Sequence, residues 1–136
     1  RFPDAIANGS YRVDVHNSHS GGLTFRYLDG KQYDYMPGQK HTDSRWREPL
    51  PVDPTFYQVP YRSLVPQGSQ NVLVAGRTIG TDKGAYGAIR VMINCNQTGE
   101  AAGMAAVLAL RHQQPVAQVD TNRLRADLAA AGSLII

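Results

Sequence analysis

Hydrophobic and polar residues alternate in short segments over the first part of the chain. Residues 11–16 alternate with period two, which predicts a half-buried strand. The runs at 23–28 and 31–35 lie on either side of Asp29-Gly30, which predicts a hairpin with its turn at those two residues. Turn-forming residues interrupt the chain every few positions here, so no long helix is expected.

A further strand is predicted over residues 56–61, ended or bulged at Pro60. It lies in a stretch with prolines at 49, 51, 54, 60 and 66, which also excludes a long helix. Residues 1–66 therefore form a β-rich segment in our prediction.

The pattern changes after residue 70. Residues 71–76 form a short apolar run that ends in glycine, as in a strand buried on both faces of a parallel sheet. A glycine-rich connection follows, with glycines at 76, 80, 84 and 87. Together these features predict a last strand and a loop before the helical part of the chain.

Two helices are predicted at the C-terminal end. The first begins near Met92 and includes residues 101–110, which carry no polar side chain, so we expect it to be buried on every side. It stops at Gln114-Pro115. The second helix is capped by Asp120 or Thr121 and stops at Gly132.

A doubly buried strand and an apolar helix need neighbouring layers that this chain does not supply. The fold class we predict is accordingly an α+β fragment. The missing layers would come from a preceding part of the same polypeptide or from a second copy of the chain. Arg1 stands where an initiator Met would be expected, which suggests a processed chain or a piece of a longer one.

Composition narrows the function classes. The 136 residues suit one domain, and 14 Lys+Arg against 11 Asp+Glu are scattered rather than clustered, so no nucleic-acid partner is expected. No apolar run approaches the roughly 18 residues of a membrane span. A single cysteine, Cys95, excludes an internal disulfide, and the four histidines share no ligand spacing, so no metal site is expected. The absence of a signal segment leaves the compartment unknown, with the cytoplasm as the default expectation.

Four stretches, in this order and spacing, resemble the C-terminal end of the FAD-dependent oxidoreductases within the two-dinucleotide-domain flavoproteins, relatives of fumarate reductase. They are YQVPYRSLVP at 57–66, NVLVAGR at 71–77, AYGAIRVM at 85–92 and GEAAGMAA at 99–106, with Cys95 between the last two. Residues 119–132 resemble the closing helix of that family. Residues 4–11 and 14–16 resemble its substrate-side segment more loosely.

The resemblance implies that residues 1–66 belong to a β-rich substrate domain, and 67–136 to the last strand and two C-terminal helices of a Rossmann-like FAD domain. It assigns flavin contacts to one set of residues. These are Gly76, Arg77, Gly87, Arg90, Gly99, Ala102 and Gly103. The helix that begins near Ile93 would direct its N-terminus at the N1/C2-carbonyl edge of the flavin, where negative charge develops on reduction. His16, Arg62 and Arg90 are the candidate catalytic residues.

The sequence also departs from the family pattern. The Gly-x-Gly-x-x-Gly that receives the pyrophosphate is absent, so this chain alone is not expected to retain FAD. Lys83 stands where many relatives carry a His, and Ile93 replaces the Pro that often opens the helix.

Each candidate residue also has a structural interpretation. His16 could be a surface or hydrogen-bonded histidine instead of an acid or base, and Arg62 or Arg90 could form structural ion pairs. Cys95 fits a small packing residue. The glycine and alanine stripe at 99–106 is explained equally by close helix packing without a cofactor.

Two functions follow from this reading. The first is the C-terminal portion of a flavin-dependent oxidoreductase, which contributes flavin contacts for hydride transfer between FAD and a small substrate. The second is a non-catalytic interaction domain that assembles as a homo-oligomer and carries no flavin.

Overall fold

The computed structural model describes residues 1–136, which form an α+β fold of six strands and three α-helices joined by short 3₁₀ turns. The strands are β1 Ala5–Gly9, β2 Val13–His16, β3 Leu23–Arg26, β4 Lys31–Tyr35, β5 Thr42–Arg45 and β6 Tyr57–Pro60. The helices are α1 Lys83–Ile89, α2 Met92–His112 and α3 Thr121–Ala130. The α+β class agrees with the prediction.

Strands β2 to β5 form an antiparallel four-stranded sheet in chain order. The predicted hairpin is confirmed, with Phe25 opposite Tyr33 and with Gly30 at a φ of 84°, a conformation that favours glycine. One face of this sheet is polar, and there the Thr24 hydroxyl donates to the Asp34 carboxylate at 2.6 Å. The opposite face carries aromatic side chains, because residues alternate between the two faces of a strand.

Strands β1 and β6 form a separate antiparallel pair, with Ala7 opposite Val59. The predicted strand ends at Pro60, as expected, and the register shifts opposite it between Ala5 and Ala7. This pair lies against α2, and the residues that it buries include Ile6, which is 1% exposed.

Helix α2 begins at Met92 as predicted, but it is not buried on every side. Its buried residues lie on one side and include Ala101, Ala105 and Leu108. The other side is open, and Leu110 there is 78% exposed. The sequence predicts burial all round from the absence of polar side chains, whereas β1, α3 and the 3₁₀ turns of this chain cover the helix on one side and leave the other open.

The strand predicted over residues 71–76 is not a strand in this structure. Residues 72–75 form no regular element. Val74 donates one backbone hydrogen bond to the Leu64 carbonyl at 2.8 Å, but no strand pairs with these residues. A central strand requires neighbours on both edges. The described chain provides none, so Val72 is 49% exposed.

The glycine-rich connection contains a helix that the sequence analysis missed. Helix α1 begins after Asp82, whose carboxylate accepts a hydrogen bond from the Ala85 N–H at 2.8 Å, an N-cap contact. Two glycines within the segment obscure its helical pattern, because glycine is a poor helix former.

Helix α3 starts where predicted. Asp120 is its N-cap and accepts from the backbone N–H of Asn122 at 2.9 Å. Gly132 then takes a φ of 98°, which ends the helical segment.

The hydrophobic core crosses residue 66, the boundary between the two predicted segments. Ile6, Leu64 and Leu124 belong to one cluster, so both segments contribute to the same core. The division at residue 66 stays a prediction. None of the helices combines the length and the hydropathy that a bilayer crossing requires.

Candidate functional site

The N-terminus of α2 has no side-chain cap. Its N-cap residue is Val91, and no acidic residue lies in the first turn. The adjoining side chains are solvent-facing, since Met92 is 76% exposed and Ile93 is 60% exposed. The first N–H groups of a helix lack intrahelical partners, so this end presents free donors and the positive end of the helix dipole.

Gly76 lies against the first two turns of α2. Its N–H donates to the Thr98 hydroxyl at 3.0 Å, and its φ of 62° is one that residues with a Cβ rarely adopt. Next to it, Arg77 Nε donates to the Arg90 carbonyl at 3.1 Å. The glycine therefore sets the path of the loop beside the uncapped helix end.

Two of the three predicted catalytic residues come together through a residue that was not predicted. The Arg90 guanidinium forms an ion pair with the Asp14 carboxylate, and His16 Nε2 lies 3.8 Å from the same carboxylate. A cavity of about 300 Å³ adjoins them. Its lining also includes Lys83 and Tyr86, from the first turns of α1.

The signal for Asp14 is present in the sequence, because it stands two positions before His16 and the two alternate onto the same face of β2. Its partner Arg90, which follows α1, could not be found from spacing, since the two residues of the ion pair are 76 positions apart.

Gly87 lies at the contact between α1 and β2. A Cβ placed there would come within 2.5 Å of the Asp14 carbonyl oxygen. This glycine permits the close approach that brings Arg90 to Asp14. Its assignment as a flavin contact stays a prediction.

Arg62 lies at a different place in the fold. Its guanidinium pairs with the Asp4 carboxylate and stacks over Phe2 at 4.8 Å from the ring centroid. The structure does not bring it into contact with Asp14, His16 or Arg90, so the predicted catalytic group is divided.

The predicted small-residue face of α2 is open. A Cβ built at Gly99 or Gly103 meets no atom within 4 Å, and Ala102 between them is only half-buried. This face leaves room for the close approach of another backbone or of a flat ligand.

Asn94 ties the uncapped helix end to the β1–β6 pair, and the sequence analysis missed it. It is completely buried, and its amide donates to the Asn8 carbonyl at 3.3 Å. The Tyr57 hydroxyl donates to the Ala88 carbonyl at 2.9 Å and lies 3.3 Å from the side-chain oxygen of Asn94. Burial raises the pKa of Tyr57 to about 12, so this hydroxyl stays a donor near neutral pH.

The structure contains no group of three or more His, Cys, Asp or Glu side chains arranged to hold a metal ion. The free donors at the start of α2 fit an electron-rich edge of a planar ring. The site thus fits one edge of a flavin. A phosphate-cradling glycine loop is not among these residues.

The family model of the FAD dependent oxidoreductases matches residues 1–128. Comparison with curated proteins and with solved structures gave no match. The matched range covers nearly the whole chain and includes the uncapped start of α2, Gly76 and the Asp14–His16–Arg90 cluster. This chain therefore belongs to the FAD dependent oxidoreductase family.

Proposed function

We propose that this chain is the flavin-edge and substrate-side portion of an oxidoreductase in which hydride passes between FAD and a small substrate. The single observation that carries the proposal is the uncapped N-terminus of α2, with Gly76 packed beside it. When bound, FAD supplies two-electron chemistry.

The chain's own groups have distinct parts in this proposal. The free N–H groups at the start of α2 hold the N1/C2-carbonyl edge and favour negative charge there. Gly76 and Arg77 line the approach to it. Gly99, Ala102 and Gly103 allow the helix to lie close to the dinucleotide-binding part of the enzyme.

The cluster around Asp14 forms the substrate side. His16 exchanges a proton with the substrate, and the Asp14 carboxylate, 3.8 Å from Nε2, faces the imidazole. Arg90 holds Asp14 in place through their ion pair. Lys83 lines the same cavity. It stands where the resemblance to the family would place a histidine that many relatives carry.

A charge placed at the start of α2 tests this proposal. In the flavin-loaded protein, Ile93→Asp should lower the two-electron potential by some tens of millivolts, since roughly 30 mV corresponds to about 1.4 kcal/mol. Ile93→Lys should raise it. The matched control is Asn122→Asp, which places the same charge at the second residue of α3 and should leave the potential unchanged.

If Ile93→Asp loses bound flavin while Asn122→Asp retains it, this result would also support a flavin contact at residue 93. Equal potentials and equal flavin content in the native protein, Ile93→Asp and Asn122→Asp would contradict the proposal.

The open face of α2 is the surface that we expect a partner to cover. We infer that the dinucleotide-binding part of the enzyme covers Gly99, Gly103 and Leu110, so the chain purified alone should be colourless. Stoichiometric flavin absorbance near 450 nm, on the order expected for bound oxidised FAD, would contradict this inference.

The same open face is the observation that favours the second candidate function, a homo-oligomer without flavin. In that case a second copy covers the face. Gly103→Leu distinguishes the two: it would lower flavin content in the whole enzyme under the first proposal, and would dissociate a flavin-free oligomer of the chain under the second.

A further inference from the structure

Arg12 differs from the other sheltered arginines of the chain. Four other arginines are at least partly buried, and each donates at least one side-chain hydrogen bond. They are Arg26, Arg47, Arg90 and Arg125. The Arg12 guanidinium forms no hydrogen bond or ion pair, and its Nε is buried without any partner. A buried donor left unsatisfied in this way needs a physical explanation.

Aromatic rings surround this guanidinium. Its carbon lies 4.3 Å from the centroid of Phe25, 5.4 Å from that of Tyr11 and 5.9 Å from that of Tyr27. Stacking on ring faces holds the plane of the group. The Nε is closed off from solvent, but the two terminal Nη groups are neither buried nor hydrogen-bonded and remain available to a bidentate acceptor. Carboxylate and phosphate groups have the geometry that this fork of donors matches.

Arg12 lies beside the candidate site, on the same face of the sheet. Arg12 comes directly before β2, two residues before Asp14 and four before His16, and its contact with Phe25 places it on the face that carries both of them. Phe25 stands opposite Asp14 in the register and lies on this same face. The Asp14 carboxylate is already paired with Arg90, and no other acidic side chain pairs with Arg12.

We propose that Arg12 is an oxyanion-binding residue, which takes a carboxylate or phosphate group of the ligand that reaches the neighbouring Asp14–His16–Arg90 cluster. The identification of that ligand as the substrate rests on the proposed function. Binding of the anion itself needs only the geometry of Arg12 and its rings, and so it can be measured without flavin.

The test uses the full chain and the NMR signals of the arginine Nε–Hε groups. Sodium benzoate, sodium acetate and inorganic phosphate are titrated separately at constant ionic strength, with sodium chloride as the reference. We expect a saturable shift of the Arg12 signal with at least one oxyanion and none with chloride. Saturation by benzoate and acetate identifies a carboxylate site, and saturation by phosphate alone identifies a phosphate site.

Three variants complete the test. Arg12→Met should weaken the saturable binding by about tenfold or more, since a charge-assisted contact is lost. Arg12→Lys keeps the charge without the planar fork and should lose carboxylate binding more than phosphate binding. The matched control is Arg26→Met on the polar face of the same sheet, which should bind as the native chain does.

Native affinity in Arg12→Met, or an Arg12 shift that is no more saturable than that of Arg26, would overturn the proposal. If Arg12→Met does not fold, the titrations of the native chain and of Arg12→Lys still test the proposal. Failure of the flavin experiment on Ile93 would leave this measurement unaffected, so the two proposals fail separately.

Discussion

Asp14 and Arg90 form an ion pair that joins the edge of the four-stranded sheet to the helical layer. Asp14 is in β2, and Arg90 lies between the end of α1 and the start of α2. Both side chains are mostly sheltered, with 20% and 33% of their surface exposed. The pair therefore fixes the position of the uncapped α2 end relative to His16.

A double-mutant cycle measures this pair. Asp14→Asn and Arg90→Met should each lower the free energy of unfolding, with a coupling of about 1 kcal/mol, because the pair is partly screened by solvent. Urea unfolding of the native chain, both single variants and the double variant gives the coupling. The pair Arg123 and Asp127 on α3, with 62% and 28% exposure, serves as the exposed control and should couple less strongly. A coupling indistinguishable from zero for Asp14 and Arg90 would show that the pair adds no stability.

Gly76 is required by its backbone conformation. Gly76→Ala should destabilise the chain by about 1–2 kcal/mol, the cost of a left-handed conformation for a residue with a Cβ. Steric crowding is not the cause, because the added Cβ would lie 3.7 Å from the Cys95 Cβ, an ordinary contact. The control is Gly80→Ala, where nothing lies within 4 Å and φ is not positive, and which should be neutral or slightly stabilising. Equal unfolding midpoints for the two variants would contradict this account.

Gly87 is required for a different reason, the close packing of α1 on β2. Gly87→Ala should cost about 1–3 kcal/mol, because its Cβ would come within 2.5 Å of the Asp14 carbonyl oxygen and force α1 away. Thermal unfolding measures the loss. Gly103→Ala is the matched helix variant, and it should raise stability by roughly 0.5–1 kcal/mol, since its Cβ meets no other atom within 4 Å. A Gly87→Ala chain as stable as Gly103→Ala would mean that α1 adjusts without cost.

The buried hydroxyl of Tyr61 should make the folded chain less stable in alkaline solution. Its hydroxyl donates to the Val116 carbonyl at 2.7 Å, and burial raises its pKa to about 12. The unfolded chain deprotonates near pH 10, whereas the folded chain keeps the proton, so the contribution is complete below pH 10 and is lost between pH 10 and 12. The loss amounts to about 2–3 kcal/mol.

Urea unfolding between pH 8 and 12 checks this prediction. Tyr61→Phe should cost about 1 kcal/mol at pH 8 through the lost hydrogen bond, and should reduce the alkaline decline. Tyr57, whose pKa burial also raises to about 12, accounts for a second part of the decline. A decline of the same size in Tyr61→Phe would contradict the assignment to Tyr61.

Sequence patterns correctly predicted those elements that are determined by residues close together in the chain. The Asp29-Gly30 hairpin, the Asp120 cap of α3 and the start of α2 at Met92 depend on neighbouring residues, and the structure confirms all three. Strand β5 has no apolar alternation to detect, because all four of its residues are exposed at the edge of a sheet. Strand β1 is short and rich in alanine, and only its burial under β6 and α2 makes it a strand.

The candidate site was predictable only in part. His16 and Arg90 were expected in it, but Asp14, which joins them, became apparent only when β2 and α1 met in space. Arg62 belongs to another part of the surface, where Asp4 pairs with it. The burial expected for the run at 71–76 requires neighbouring strands, and none in this structure pairs with it, so its unpaired course could not be derived from its own residues.

The pairing of β1 with β6, and the packing of both on α2, has a consequence for biosynthesis. Ile6 and Ala7 are translated about 100 residues before the helix residues that bury them, such as Ala105. At roughly 5–20 residues per second, this delay is about 5–20 s. During that interval the strand lacks the helix that buries it, which makes the nascent chain a candidate client for chaperones that shield extended hydrophobic segments.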